Sequence, residues 1–166
     1  CLRHSIGDHA GMPFELEPWQ AFGVAQIHGW KRDADMTRKY RRVYWSTARK
    51  NGKSTFGGGE ALQLCSLDLN PVTGKVEQVA EVILAATKRE QVEKVMFAEI
   101  LRMREQSETI RSRSVAINKQ VTFTHNNGSI RCVGSDKPYS GLNPLVVVKD
   151  ELHEFAEYHR AFLQTM

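Results

Sequence analysis

Nothing in the 166 residues approaches the length of a membrane span, and no secretory apolar stretch lies near the start. Cysteine is scarce. Cys1, Cys65 and Cys132 are scattered and odd in number, with no C-x-x-C pair and no disulfide framework. That excludes a disulfide-stapled secreted scaffold and makes a reducing cytosol the expected compartment. Internal repeats and low-complexity segments are absent as well. His153 and Glu154 are followed by Glu157 where H-E-x-x-H needs its second histidine, so a zinc-protease helix is excluded. The Asn127-Gly128-Ser129 sequon carries no meaning in a cytosolic chain. Neither sign of charge dominates: 23 Lys and Arg face 19 Asp and Glu, a net +4 with a pI near 9.1. This suits a polyphosphate or nucleic-acid partner without requiring one. The chain begins at Cys1 rather than Met and ends at Met166 inside a helical pattern. Both features suggest a piece of a longer protein.

What remains is a soluble composition, 41% hydrophobic and 25% charged, with room for one domain. Pro18 opens a helix to about Gly29, with Trp19, Phe22, Ile27 and Trp30 at mixed three- and four-residue spacing. The charged run from Lys31 to Arg42 reads as a solvated connector. "RVYWS" (42–46) predicts a short strand, and a helix is expected from Lys53 to about Ser66. Gly57-Gly58-Gly59 cost that helix about 1 kcal/mol each against Ala, so either another element packs closely on them or the helix bends. Asn70 to Gly74 form a turn, and 78–86 a buried strand. Thr87 and Glu90 have capping-box spacing ahead of a helix from about 88 to 106 with Val92, Val95, Met96, Ile100 and Met103 on one face. Asn127-Gly128 between alternating runs predicts a hairpin with a two-residue type I′ turn. Leu145 to Val148 form an apolar strand ending in Asp150-Glu151, and 152–166 read as helix. Strands alternating with helices predict an α/β sheet with a parallel core.

Two segments carry chemistry. In "STARKNGKST" (Ser46–Thr55) a strand leads into a glycine-containing basic turn and a helix leads out. That context offers backbone amides and a helix N-terminus to a phosphate. Lys53 would reach the β- and γ-phosphates and the Ser54 hydroxyl would ligate Mg2+. The general pattern G-x-x-x-x-G-K-S/T asks for Gly at 47, where the chain has Thr47. The second segment is the strand end at Asp150-Glu151. An Asp there helps hold Mg2+, and the following Glu can act as general base toward water. The bland readings are a basic turn and an acidic helix start.

Taken together, "LEPWQAF", "ARKNGKST", "ILAATKREQVEKVMF" and "GLNPLVVVKDELHEF" resemble the ATPase domain of the large terminase subunit of tailed bacteriophages, over about Phe14 to Phe155. The family often carries Arg-Lys-Asn-Gly-Lys-Ser where other nucleotide hydrolases have a second glycine. The resemblance implies a P-loop NTPase fold of the RecA-like type: a three-layer α/β sandwich with a mostly parallel sheet, incomplete at the C-terminus. Residues 1–166 would be a partial N-terminal ATPase domain with a core of about 14–166, the family's nuclease domain lying outside this chain. The implied ligands are ATP and Mg2+. The loop Thr47, Ala48, Arg49, Lys50, Asn51, Gly52, Lys53, Ser54 and Thr55 would hold the phosphates. Ser54 and Asp150 would hold the metal, Glu151 would be the catalytic carboxylate, Lys53 would serve binding and catalysis, and Arg49 would sense the γ-phosphate. Gln20 would read adenine, since an amide both donates and accepts. Gln91 lies near a recurring family position without an assigned role. Implied partners are double-stranded DNA, the portal protein, the small terminase subunit and further copies in a ring, with no membrane, in the host cytoplasm at the procapsid portal vertex. The isolated fragment is expected to hydrolyse ATP poorly.

Two other readings compete. Asp150-Glu151-Leu152-His153 fits the DExH signature of helicases, and a helicase would continue into a second motor domain. A binding module without turnover would use Arg102, Arg104, Arg111 and Arg113 to grip phosphates.

Overall fold

The structure is a computed structural model that describes residues 2–5, 7–48, 51–70, 73–134 and 143–150. Helices α1 (Pro18–Gly29) and α2 (Lys53–Ser66) come first, then β1 (Glu81–Ala86). A long helical stretch follows as α3 (Arg89–Val92), a π-helical turn (Glu93–Phe97) and α4 (Ala98–Gln106). The remainder is α5 (Glu108–Ser112), β2 (Ser114–Ile117), β3 (Gln120–Phe123), β4 (Ser129–Gly134) and β5 (Val146–Lys149).

The five strands form one sheet in the order β2-β3-β4-β1-β5. β1 pairs in parallel with β4 on one side and β5 on the other, while β2-β3 and β3-β4 are antiparallel. The centre is therefore parallel, as the alternation of strands and helices predicts. Val82, Leu84 and Ala86 of β1, with Ile130 and Cys132 of β4, meet Leu62, Val92, Met96, Ile100 and Met103 from α2 to α4 in the main core. Ile83 and Ala85, which alternate to the opposite face, are fully buried too. A central parallel strand covered on both faces is what a layered α/β fold requires. Cys65 and Cys132 are buried free thiols, and burial pushes both up to about 12. Neither should react with iodoacetamide at neutral pH until denaturant is added, which mass spectrometry of the labelled peptides checks.

α1 begins with a capping box: Glu17 N–H donates to Gln20 Oε1 at 2.9 Å while the Glu17 side chain accepts from the Gln20 amide. The three glycines of α2 admit close neighbours. A Cβ at Gly57 would stand 3.2 Å from Met96 Cε, and one at Gly58 would stand 3.2 Å from Ile100 Cγ1. The helix tolerates its low propensity because the next helix packs against it there.

Four expectations are corrected. Residues 42–48 form no strand. Val43 and Tyr44 are exposed, and Trp45 instead stacks on Phe56 of α2 at 4.9 Å, contacts Trp19 at 5.5 Å and lies against Gly23. Burial of one large ring outweighs the pairing of three β-favouring residues. The strand expected from 78 starts only at Glu81, because Val79 has φ +55°. The Thr87–Glu90 capping box does not form: α3 starts one residue later, and Thr87 Oγ1 donates to Gln91 Oε1 at 3.2 Å. The hairpin between β3 and β4 exists, but Thr122 pairs with Ser129, so its loop is longer than a two-residue turn. The tight turn is Asn118-Lys119, at φ +52° and +62°, between β2 and β3. The helix expected over 152–166 lies outside the described residues.

Candidate functional site

α2 runs antiparallel to β1 and β5, and its contacts fix which end faces which edge. Near its C-terminus Cys65 Sγ donates to Ala80 O at 3.3 Å, just before β1. Near its N-terminus Gly57 faces Val148 of β5, with 3.8 Å between a built Cβ and Val148 Cγ1. The first turn of α2, with Lys53, Ser54 and Thr55, therefore stands toward the carboxyl edge of the parallel strands. Open α/β sheets take ligands at that edge.

Gly52 is the N-cap of α2 at φ +69°, ψ 23°, a left-handed conformation that suits glycine. The helical ladder opens with Phe56 N–H donating to Gly52 O at 2.8 Å. The amides of Ser54 and Thr55 precede it and face outward along the axis, where the macrodipole favours an anion. Asn51 and Gly52 are exposed, and Lys53 and Ser54 half-buried. Thr47 makes only a weak bond to Ala48 O at 3.5 Å, which leaves its hydroxyl accessible.

Asp150 continues β5. Its N–H donates to Ala85 O at 3.0 Å, extending the ladder one residue past Lys149. Burial first, then the charge of Arg42, holds the Lys149 ammonium below the usual lysine range. The segment that leads into the loop thus carries a positive charge that acts on the end of β5. Ser54 at the start of α2 and Asp150 after β5 both stand toward the carboxyl edge of the sheet. A hydroxyl and a carboxylate are hard-oxygen donors of the kind Mg2+ takes together with phosphates and water. The described residues contain no group of three His, Cys, Asp or Glu side chains that could hold a metal ion. Arg49, Lys50 and Glu151 lie outside the described residues.

Gln20 is buried on α1, where its Oε1 accepts from Glu17 N–H, leaving one lone pair and the Nε2 donors for a ligand. The Trp19–Trp45–Phe56 stack and the 2.8 Å contact between His28 Nε2 and Glu60 Oε2 tie α1 to α2. Thr55 does not aim its hydroxyl outward. It donates to Glu99 Oε1 at 3.0 Å. Glu99 had no sequence signal, being one acid in a charge-rich helix. The proposed arginine grip is half spent internally. Arg102 pairs with Glu99 at 3.2 Å, and Arg104 pairs with Glu105 and bonds Ser114 Oγ at 2.9 Å and Ser114 O at 2.7 Å. A cavity of about 240 Å³ lies between Phe97 and Leu101 and the Asn118-Lys119 turn. Its one cation, Lys119, is paired with Glu93 at 2.6 Å, and that carboxylate on the cavity wall disfavours a phosphate.

A family model described as the terminase large subunit, ATPase domain, matches residues 18–166. The crystal structure of the HK97 bacteriophage large terminase is similar in fold, with a TM-score of 0.75 at 19% identity. The alignment covers 99% of this chain and 32% of that one, so the chain spans about a third of the length of its solved neighbour. No curated protein matches significantly. Nothing in these matches favours a DExH helicase. With a match that runs from the first residue of α1 to the end of the sequence, the chain belongs to the terminase large subunit ATPase domain family.

Proposed function

We propose that this chain is the ATP-hydrolysing part of a phage DNA-packaging motor. One observation carries the reading: the Gly52-Lys53-Ser54 helix start stands at the carboxyl edge of the sheet, on the side of β5, which leads directly into Asp150. A phosphate chain laid on the first turn of α2 meets amides, dipole and the Lys53 ammonium together. Ser54 and Asp150 would hold Mg2+, which supplies charge neutralisation to the phosphates. Lys53 neutralises charge on the β- and γ-oxygens. Glu151 accepts a proton from the water that attacks the γ-phosphorus. Arg49 would lie within the loop and sense the γ-phosphate, and Gln20 would offer its Nε2 donor to the adenine edge.

In the whole protein, hydrolysis would drive double-stranded DNA into a procapsid. The portal, the small terminase subunit and neighbouring copies of the large subunit would be its partners in the host cytoplasm. Calorimetric titration of the 166-residue chain with MgATP tests the core of this, beside Glu151→Gln under single-turnover conditions. Wild type should bind and hydrolyse slowly. Glu151→Gln should bind with similar affinity and lose about 100-fold or more of its hydrolysis rate, the scale of one general base. Unchanged turnover in the variant would remove Glu151 from the mechanism.

A further inference from the structure

Glu99 is the one carboxylate buried among the described residues, at 3% exposure. Three donors converge on it. Ser5 Oγ and Thr55 Oγ1 (at 3.0 Å) share Oε1, and Arg102 Nη1 reaches Oε2 at 3.2 Å. Ser5 belongs to the N-terminal segment, which the same helix holds a second time: Gln106 Nε2 donates to Ser5 O at 3.1 Å and Gly11 N–H donates to Gln106 Oε1 at 3.2 Å. Thr55 belongs to the first turn of α2, next to Ser54. One carboxylate thus joins the phosphate-loop helix to α4 and to the start of the chain.

Helical spacing brings it there: Glu99 lies two turns after Val92 and four residues before Met103, on the face those buried residues share. Gly58 opens the space on α2, where a built Cβ would stand 3.8 Å from Glu99 Cγ. A buried carboxylate is costly unless fully paired, and an apolar residue would pack α4 on α2 without that cost. What an apolar residue cannot do is fix the Thr55 hydroxyl, and with it the rotation of the turn that presents Lys53 and Ser54.

We propose that Glu99 is a positioning residue for nucleotide binding: through Thr55 its carboxylate sets the first turn of α2 against the phosphates. This rests on the nucleotide-site reading above. The test compares wild type, Thr55→Val, Thr55→Ser and Glu99→Gln by MgATP titration, with thermal unfolding followed on the same samples by circular dichroism. Thr55→Val keeps the shape and removes the hydroxyl. Its affinity should fall about tenfold, the value of one hydrogen bond to a charged group. Thr55→Ser should recover it to within about twofold on the same ground, because the hydroxyl returns. Glu99→Gln leaves one neutral oxygen for two hydroxyls and should lose about three- to tenfold, so the comparison survives if Thr55→Val fails to fold. A purely structural contact would lower the unfolding temperature and leave the affinity of the folded variants at the wild-type value. That result in both Thr55→Val and Glu99→Gln, or in the one that folds, overturns the assignment of Glu99 alone. A folded wild-type chain that binds no MgATP overturns the nucleotide site and this assignment with it.

Discussion

Lys53→Ala is expected to lower MgATP affinity by about 10- to 100-fold, and to do so without unfolding the chain. One charge-assisted hydrogen bond contributes about 1.5–3 kcal/mol, and each 1.4 kcal/mol is about a factor of ten in affinity. Ala at the first helical position keeps the amides and the dipole, so the variant measures the ammonium and not the whole helix start. The fold should survive because α2 is held elsewhere, through Ala61, Leu62, Leu64 and Cys65 in the core and Phe56 under Trp45. Ala is also the better helix former. The loss should shrink as salt is raised, since part of the Lys53 contribution is long-range attraction at a half-exposed site. Calorimetry of the two proteins at two ionic strengths checks both statements. Wild-type affinity in a folded Lys53→Ala chain would reduce "STARKNGKST" to a basic surface turn and withdraw the motor reading.

The elements read well from sequence are those whose cause is local. Pro18 and the helix-period pattern after it give α1, and the segment from Lys53 to Ser66 is one helix end to end. β1 and β5 are short apolar runs between turn signals, and their parallel pairing follows from the helices between them. The stripe of α3 and α4 was legible except at Val95. That residue is 45% exposed, because it lies at the edge of the stripe that Val92, Met96, Ile100 and Met103 fill. The π-helical turn at Glu93–Phe97 was not legible, since no residue type announces one. The failures are non-local. "RVYWS" has strand propensity, yet a strand needs an edge, and Trp45 had a better use between α1 and α2. The tight turn at Asn118-Lys119 carries Lys where glycine is favoured, so the sequence pointed to Asn127-Gly128 instead. In the proposed site, the sequence pattern puts Lys53 and Ser54 at a helix start and Asp150 at a strand end, and the structure has them there. Glu99 was not legible, because its role comes from what packs around it.

Asn126→Ala should destabilise the chain by about 3 kcal/mol, on the basis of about 1 kcal/mol for each of three buried hydrogen bonds. Asn126 Nδ2 donates to Cys65 O at 2.8 Å and Glu77 O at 2.9 Å, and Gly128 N–H donates to Asn126 Oδ1 at 3.0 Å. The side chain is 1% exposed, so water cannot replace it without opening the loop. Gly128→Ala should cost about 1–3 kcal/mol by overpacking, because its Cβ would stand 2.6 Å from Cys65 O and 3.0 Å from Asn126 Oδ1. The two changes disturb one contact, so the double variant should lose less than the sum. Urea unfolding followed by circular dichroism measures all three, and a cost below about 1 kcal/mol for Asn126→Ala would mean that the loop re-forms its bonds with water. Asn126 grips the C-terminal end of α2, the end away from the phosphates. MgATP affinity of the folded Asn126→Ala chain should therefore equal that of wild type. Thr55→Val acts at the other end of the same helix and should move affinity more than stability. Opposite responses from the two ends of α2 separate what holds the helix in the fold from what aims its first turn.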